Sequence, residues 1–152
     1  MASMEIGLGI AVASILLGFA PPGATAPAGK KVLQVDARKG LWESTVTPQG
    51  EKPRTDSGGC EDEDFEILAE EFDEDSGCRT TRTLVGRTLT MRRSCFLKET
   101  GFKSETVVEL TYSRESYRGT TVHTMTDKAG KVTVQKATMA GRWLRECRPG
   151  DK

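Results

Sequence analysis

Apolar and polar residues alternate through much of the chain after residue 40, and this pattern predicts a protein built mainly of β-strands. The first clear segment is Gly40 to Thr47, in which residues of two faces alternate. One face carries Trp42, Ser44 and Val46, and the other carries Glu43, Thr45 and Thr47. This period of two is typical of a strand with one half-buried face. Later segments rich in Val, Thr and Tyr suit strands in the same way: Ser104–Tyr112, Tyr117–Met125 and Lys131–Met139. The short turns between them predict an antiparallel meander.

The segment from Cys78 to Cys95 predicts a β-hairpin whose two strands are joined by a disulfide. Gly86-Arg87 suits a two-residue type II′ turn, in which glycine takes the first central position. In that register Cys78 falls directly opposite Cys95, as a non-hydrogen-bonded pair with its Cα atoms close together. This separation is within reach of a disulfide. The alternative is two free, buried cysteines on separate elements.

Residues Glu61 to Asp75 form a strongly acidic segment, with ten acidic residues and no basic one. Its apolar residues recur at helical spacing: Phe65, Leu68, Ala69 and Phe72. We therefore predict a short amphipathic helix with one apolar and one acidic side. A calcium site at Asp73, Asp75 and Gly77 is the alternative, but these residues lack the full spacing and the distant Glu of a calcium-binding loop.

Together these elements predict an α+β fold that is mostly antiparallel β. We expect a meander, or a curved and partly closed barrel-like sheet, of about six to seven strands. Partial closure would reduce the number of exposed strand edges, which are liable to pair with other chains. One short helix would cover an opening or a face of the sheet, and two disulfides would hold the domain together.

The chain begins with a segment that we predict to be a signal peptide, residues 1–28. Its apolar run, Ile6 to Ala20, has the length of a signal sequence and is short for a membrane span. Small residues follow, and we place cleavage after Ala28. A single exported domain would then cover residues 29–147, with a frayed tail at 148–152 and no stable membrane span. A retained N-terminal membrane anchor is the alternative.

Four cysteines follow this segment, and an even count in a small exported chain is typical of a disulfide framework. With Cys78 and Cys95 paired, Cys60 and Cys147 remain, and their bridge would close a long loop worth about 4–5 kcal/mol. Leu, Ile, Val and Phe make up about 18% of residues 29–152, which is low for a packed domain. We therefore expect the disulfides to compensate for a thin core, in a periplasmic or secreted protein.

The net charge of the chain argues against nucleic acid as a partner, and the basic residues of the hairpin allow two interpretations. The chain has a formal net charge of zero, whereas a nucleic-acid-binding domain is expected to be basic. The hairpin and the residues after it are nevertheless locally basic: Arg79, Arg82, Arg87, Arg92, Arg93 and Lys98. The first interpretation is charge complementarity with the acidic segment inside the fold, and the second is an anion-binding face.

The sequence contains no recognisable catalytic or metal-binding constellation. Its only histidine, His123, lies within a predicted Thr-rich strand, with no serine or acid placed beside it by local spacing. The cysteines form no CxxC pair, which argues against a zinc site and against a reactive dithiol. We therefore predict no enzyme activity, no catalytic residues, no metal and no cofactor. An enzyme with an unrecognised site is the least favoured alternative.

Two functional hypotheses remain, and both concern binding. Sheets of this kind can hold a small apolar ligand or a peptide, and four aromatic residues are candidates for the lining: Trp42, Tyr112, Tyr117 and Trp143. A tight turn at Arg114-Glu115 would pair Tyr112 with Tyr117 across two strands. The alternative is a structural or interaction protein that docks on another envelope protein through its acidic helix or basic hairpin. A cavity lined by aromatics would favour the ligand.

Three landmarks resemble one bacterial family. They are Gly40-Leu41-Trp42-Glu43, the Cys60 segment before the predicted helix, and the final Gly141-Arg142-Trp143 with Cys147. Their order resembles that of the small exported proteins of domain-of-unknown-function family 3617, over about residues 38 to 147. The acidic run after Cys60 departs from the pattern expected there. The resemblance implies export in Gram-negative bacteria and brings no established activity and no catalytic residues.

Overall fold

The structure is a computed structural model that describes residues 31–61 and 63–151. The predicted signal peptide, residues 1–28, lies outside the described residues. The described chain consists of strands without any helix, and its ten strands are β1 (Val32–Gln34), β2 (Gly40–Pro48), β3 (Arg54–Glu61), β4 (Glu66–Leu68), β5 (Glu70–Asp73), β6 (Cys78–Val85), β7 (Thr88–Leu97), β8 (Phe102–Ser113), β9 (Ser116–Thr126) and β10 (Val132–Arg145). None of its segments is therefore a helix long and apolar enough to cross a membrane.

Eight of these strands form one antiparallel sheet in the order β3-β2-β10-β9-β8-β7-β6-β5, and β1 pairs with β4 in a separate two-stranded sheet. Strands β5 to β10 follow one another as the predicted meander, but β10 also pairs with β2. Strands β3 and β5 form the two edges, so the large sheet does not close into a barrel. The predicted barrel-like sheet of six to seven strands is therefore wrong in closure and in strand number.

The α+β prediction is also wrong, because the acidic segment contains no helix in its described residues. Residues 66–68 and 70–73 form strands β4 and β5, and β5 pairs with β6. The reason lies in long-range pairing. On β6, Arg82 contacts the Glu71 carboxylate at 3.0 Å and donates another hydrogen bond to the Leu68 carbonyl oxygen. Phe65 is buried whereas Phe72 is 61% exposed, so the helical apolar face does not exist.

The hairpin prediction is confirmed in both its register and its disulfide. Val85 pairs with Thr88 across the turn, Cys78 pairs with Cys95, and the two cysteines are bonded, with their Cα atoms 4.1 Å apart. Gly86 adopts a φ of 59°, a left-handed conformation that suits glycine at the first central position of this turn. The turn and the strand pattern are both local, which is why the sequence predicts this element well.

The second disulfide joins Cys60 of β3 to Cys147, which follows β10, as predicted. The bridge spans β2, the strand that lies between β3 and β10 in the sheet. Its Cα atoms are 5.7 Å apart, and the two cysteines are separated by 87 residues in sequence. It therefore fixes one edge of the large sheet to the end of the chain's last strand.

The buried core lies between the large sheet and the segment that carries β1 and β4. Strands β7 and β8 contribute Leu89, Met91, Val108, Leu110 and Tyr112, and the covering segments contribute Leu33, Val35, Phe65 and Ala69. The covering layer is fixed by backbone hydrogen bonds, because the Val35 amide donates to the Phe65 carbonyl and the Ala69 amide to the Lys31 carbonyl. This layer covers only part of the face, in keeping with the thin core that the composition predicts.

The tail after β10 folds back onto Arg145 through Asp151, and this ion pair makes the contact between the tail and the strand dependent on pH. Both Arg145 terminal nitrogens bond the Asp151 carboxylate, at 2.6 and 2.8 Å. The hydrogen bonds from Arg145 lower the pKa of Asp151 from 3.8 to about 2. A lowered pKa stabilises the contact above the ordinary aspartate pKa, and this stabilisation is lost as the pH falls towards 2.

We therefore expect the tail to be held above about pH 4 and released progressively between about pH 4 and 2. Amide hydrogen exchange at Arg148, whose backbone N–H donates to Asp151, measures this directly. In Asp151→Asn the carboxylate is absent, so exchange should be fast at every pH. Equal protection of this amide in the variant and the unsubstituted protein at pH 6 would contradict the prediction.

Candidate functional site

A cavity of about 130 Å³ lies within the core, where several strands of the large sheet meet Phe65 of the covering segment. Its lining is almost entirely apolar and aromatic: Trp42, Ser44, Gly58, Gly59, Glu61, Phe65, Leu89, Met91, Val108, Leu110, Tyr112, Tyr117 and Met139. An apolar cavity with a few converging polar groups is the usual form of a small-molecule site. We therefore take this cavity as the candidate functional site.

Cross-strand register places the lining residues on one face of the sheet. Leu89 pairs with Leu110, Leu110 with Gly119, and Gly119 with Met139, which forms one row across β7, β8, β9 and β10. Directly paired residues point to the same side of a sheet. Leu89 and Leu110 are 2% and 3% exposed, so they form a buried part of the wall.

A second row of paired residues carries aromatic side chains, which form the aromatic wall of the cavity. Tyr112 pairs with Tyr117, as predicted, Tyr117 pairs with Gly141, and Gly141 pairs with Ser44. A Cβ atom at Gly141 would overlap the Tyr117 ring, so the ring of Tyr117 lies against this glycine. Because Gly141 has no side chain, the ring can lie over the neighbouring strand beside the cavity.

Trp42 completes the aromatic wall and is fixed on several sides. Its ring stacks on Tyr117 with a centroid distance of 6.2 Å and meets the edge of Phe65 at 6.0 Å. Its indole N–H donates to the Arg38 carbonyl oxygen at 2.9 Å. These rings contact one another directly, so they form a continuous wall and do not surround a separate cage.

Two hydroxyl groups of the lining are hydrogen-bonded to each other, and a third stands apart. Ser44 Oγ and Tyr117 Oη are 2.6 Å apart, and either can be the donor. The Tyr112 side chain contacts the Tyr117 ring at 5.5 Å between centroids, but its hydroxyl has no hydrogen-bond partner among the described residues. Burial raises the pKa of the Tyr112 phenol, with a smaller contribution from Tyr117. This phenol therefore stays protonated and able to donate.

The fourth aromatic candidate, Trp143, does not line the cavity. Its indole N–H donates to the Lys39 carbonyl oxygen, and the Arg38 guanidinium lies 3.9 Å from its ring centroid. Arg38 also pairs with Glu115 at 2.7 Å and Glu146 at 3.3 Å. Trp143 therefore belongs to a charged cluster outside the cavity, although it pairs with Trp42 across the sheet.

The charged segments contact each other across neighbouring strands. Arg79 approaches Glu70 at 4.0 Å and Arg82 pairs with Glu71, both in the acidic segment. A third hairpin residue, Arg92, pairs with Glu105 of β8 at 3.4 Å. The predicted complementarity between the basic hairpin and the acidic segment is therefore present, although the acidic element is a strand. Part of the charge that an external partner would use is engaged within the sheet.

His123 lies in β9 and takes part in a single polar contact in the described structure, where its Nδ1 atom is 2.8 Å from Thr106 Oγ1. No carboxylate completes a catalytic arrangement with it in the hydrogen bonds of the described residues. Across residues 31–61 and 63–151, no group of three or more His, Cys, Asp or Glu side chains is placed to hold a metal ion. The cavity is thus the strongest candidate site that these residues contain.

Sequence reasoning finds three of the lining residues, Trp42, Tyr112 and Tyr117, and misses most of the aliphatic wall. Part of that wall was within reach of the pattern, because Val108 and Leu110 alternate on the same face as Tyr112. The hairpin register would have added the residues of β7 paired with them. Other lining residues could not be found from any local pattern, because only long-range packing brings them to the cavity. They are Phe65, Met139, Gly58, Gly59 and Glu61.

The fold and the site define a class, which is a small all-β domain with two disulfides and an apolar cavity in its sheet. A family profile described as "Protein of unknown function (DUF3617)" matches residues 37–147. The chain belongs to this family, which confirms the resemblance carried by its glycine, tryptophan and cysteine landmarks. Comparisons with curated proteins and with solved structures found no match.

Proposed function

We propose that this domain is a non-enzymatic, exported binding module that holds a small apolar molecule in the cavity of its sheet. The observation that carries this proposal is the cavity itself, which lies between Trp42, Tyr117 and the aliphatic wall. A filled core would have favoured the alternative of an interaction protein without a ligand. The proposal places the protein in the periplasm or outside a bacterial cell.

The volume of the cavity supports a ligand of about one ring. A dry protein cavity of about 150 Å³ lined by apolar side chains holds benzene, and this cavity measures about 130 Å³. A molecule of about six or seven heavy atoms is therefore the size that this partly open space accepts. A larger ligand would have to extend past the lining towards solvent.

The charge of the lining supports a ligand that carries no negative charge. Glu61 is the one charged side chain among the lining residues, so the lining offers no Lys, Arg or His side chain to an anionic ligand. Moving an anion from water into such surroundings is costly because no positive charge compensates for its lost hydration. A neutral ligand avoids this cost.

The two disulfides support the proposed location. They are consistent with an oxidising environment, and structural disulfides are rare in reducing cytosol. The apolar run near the N-terminus, read as a cleaved signal peptide, supports export as well. The internal pairing of Arg79, Arg82 and Arg92 with acids disfavours the docking alternative, because those charges already have partners.

Toluene is the direct test of the proposed site, because it is apolar and has seven heavy atoms. We expect saturable shifts in the NMR signals of residues around the cavity when toluene is added to the unsubstituted protein. Val108→Phe should weaken this binding, because the larger side chain enters the cavity from β8. Val107→Phe is the matched control, since it adds the same group at the neighbouring residue, which points to the opposite face of the strand.

A lack of saturable shifts in the unsubstituted protein, up to the solubility limit of toluene, would overturn the proposal whatever the variants do. Equal weakening by Val107→Phe and Val108→Phe would also contradict it, because the signal would then not come from the cavity. Thermal melting of both variants shows whether they are folded before they are compared.

A further inference from the structure

The Tyr112 side chain adds a phenolic hydroxyl group to the lining of the cavity. Tyr112 is 3% exposed, and its backbone N–H donates to the Arg87 carbonyl oxygen. Its hydroxyl has no hydrogen-bond partner among residues 31–61 and 63–151. A ligand could therefore provide a hydrogen bond that the described residues do not provide.

This hydroxyl is not sealed inside the protein. In the described structure, every side-chain oxygen or nitrogen that is fully cut off from solvent has a hydrogen-bond partner. The Tyr112 hydroxyl has none, so it must retain accessible surface, although the residue as a whole is almost completely buried. Tyr112 lines the cavity, and the cavity is the space in which a molecule could reach this buried side chain.

The neighbouring tyrosine provides the contrast within the same wall. Tyr117 is 8% exposed and lines the same cavity, but its hydroxyl is satisfied by Ser44 at 2.6 Å. The two phenols are paired across β8 and β9 and are both largely buried. Among the described residues, the Tyr117 hydroxyl has a hydrogen-bond partner and the Tyr112 hydroxyl has none.

We propose that Tyr112 is a specificity-determining residue that hydrogen-bonds an oxygen atom of the bound ligand. This inference rests on the proposed function and deepens it by assigning a ligand class, which is a neutral one-ring molecule that carries a carbonyl or hydroxyl oxygen. The ring occupies the space beside Trp42 and the aliphatic wall, and the oxygen lies against Tyr112. A purely hydrocarbon ligand leaves the hydroxyl without a partner.

The chemistry of the lining agrees with this ligand class. The Tyr112 phenol remains protonated at physiological pH, since burial raises its pKa, so it can donate to a carbonyl and can also accept from a hydroxyl. Glu61, the acid of the lining, disfavours a carboxylate on the ligand. The binding energy then comes mainly from the apolar contacts, and the hydroxyl selects among molecules of equal size.

Phenol and toluene are the probes that test this inference, because they have the same shape and differ by one oxygen in place of a methyl group. Their dissociation constants are measured by NMR titration for the unsubstituted protein and for Tyr112→Phe. We expect the ratio of the phenol constant to the toluene constant to rise about fivefold in Tyr112→Phe, the change expected for loss of one hydrogen bond. Comparing ratios cancels the different hydration of the two probes in water.

Two further variants make the outcome specific. Thr120→Val removes an exposed hydroxyl on the opposite face of the sheet and should leave the ratio unchanged. In the absence of ligand, Tyr112→Phe should keep the melting temperature of the unsubstituted protein or raise it, since no internal hydrogen bond is lost. Tyr117→Phe should instead lower the stability by about 1 kcal/mol, because it breaks the bond to Ser44.

The results separate this inference from the proposed function. If toluene binds but the ratio is the same with and without the Tyr112 hydroxyl, the role of Tyr112 is wrong and the cavity site stands. If toluene does not bind the unsubstituted protein, the proposed function itself is wrong. A clear loss of stability in Tyr112→Phe would also contradict the inference, because it would reveal a structural partner for this hydroxyl.

Discussion

Replacing Cys60 and Cys147 together by alanine is expected to lower the free energy of unfolding by about 4–5 kcal/mol. The bridge closes a loop of 87 residues, and its loss releases the unfolded chain from that constraint. It also frees the edge strand β3 from the end of β10. Domains of this size are stable by only about 5–15 kcal/mol, so the variant should be close to unfolding at 37 °C. Urea denaturation measures the change.

The other disulfide provides the control for this prediction. Cys78 and Cys95 are only 17 positions apart in sequence, and the same entropy argument gives about 3 kcal/mol for their replacement. Their strands remain paired through a short turn, so the hairpin should survive. The test is which replacement lowers the free energy of unfolding more, and we expect it to be that of Cys60 and Cys147. A larger loss from the short loop would show that local geometry, and not loop closure, dominates the stabilisation.

Trp42→Ala is expected to have the second largest effect, a loss of about 3–5 kcal/mol. Trp42 is 6% exposed and contacts Phe65 and Tyr117 through its ring. Its removal leaves a large void beside the existing cavity and an Arg38 carbonyl oxygen without its indole donor. Chemical denaturation gives the loss of stability. The cavity should also enlarge, so the variant should accept probes bigger than toluene if it remains folded.

Trp143→Ala is the matched control for Trp42→Ala, because the two tryptophans pair across β2 and β10. Trp143 is only half-buried, lies outside the cavity lining, and stacks with Arg38 near the surface. Its replacement should cost clearly less than that of Trp42 and should not change the size of probe that binds. Equal losses for both variants would contradict the assignment of Trp42 to the wall of the site.

Elements whose register depends on a nearby turn could be predicted from the sequence. The pairings of Cys78 with Cys95 and of Tyr112 with Tyr117 follow from short turns and alternating residues, because the information lies within a few residues. The second disulfide followed once the first was paired. These local rules also placed Tyr112 and Tyr117 on one face, which is half of the aromatic wall.

Features that depend on distant pairing could not be predicted in the same way. The spacing of Phe65 and Phe72 suits a helix, but pairing of β5 with β6 draws that segment into the sheet and leaves Phe72 exposed. Helical propensity is a weak preference that tertiary contacts override. Likewise, nothing local indicates that β2 pairs with β10, and this pairing brings Trp42 and Met139 to the same cavity.

The position of β10 has a consequence for how the protein matures. This strand is synthesised last of the ten, yet it lies between β9 and β2 and joins the two parts of the large sheet. The hairpin of β2 and β3 therefore precedes its neighbour β10 by the 70 residues between Glu61 and Val132, and long-range pairing of this kind is slow. The first cysteine after Cys60 in sequence is Cys78, whereas its partner Cys147 follows β10. The Cys60–Cys147 bridge can therefore form only after the last strand has been synthesised, and any earlier bridge at Cys60 would have to be exchanged for it.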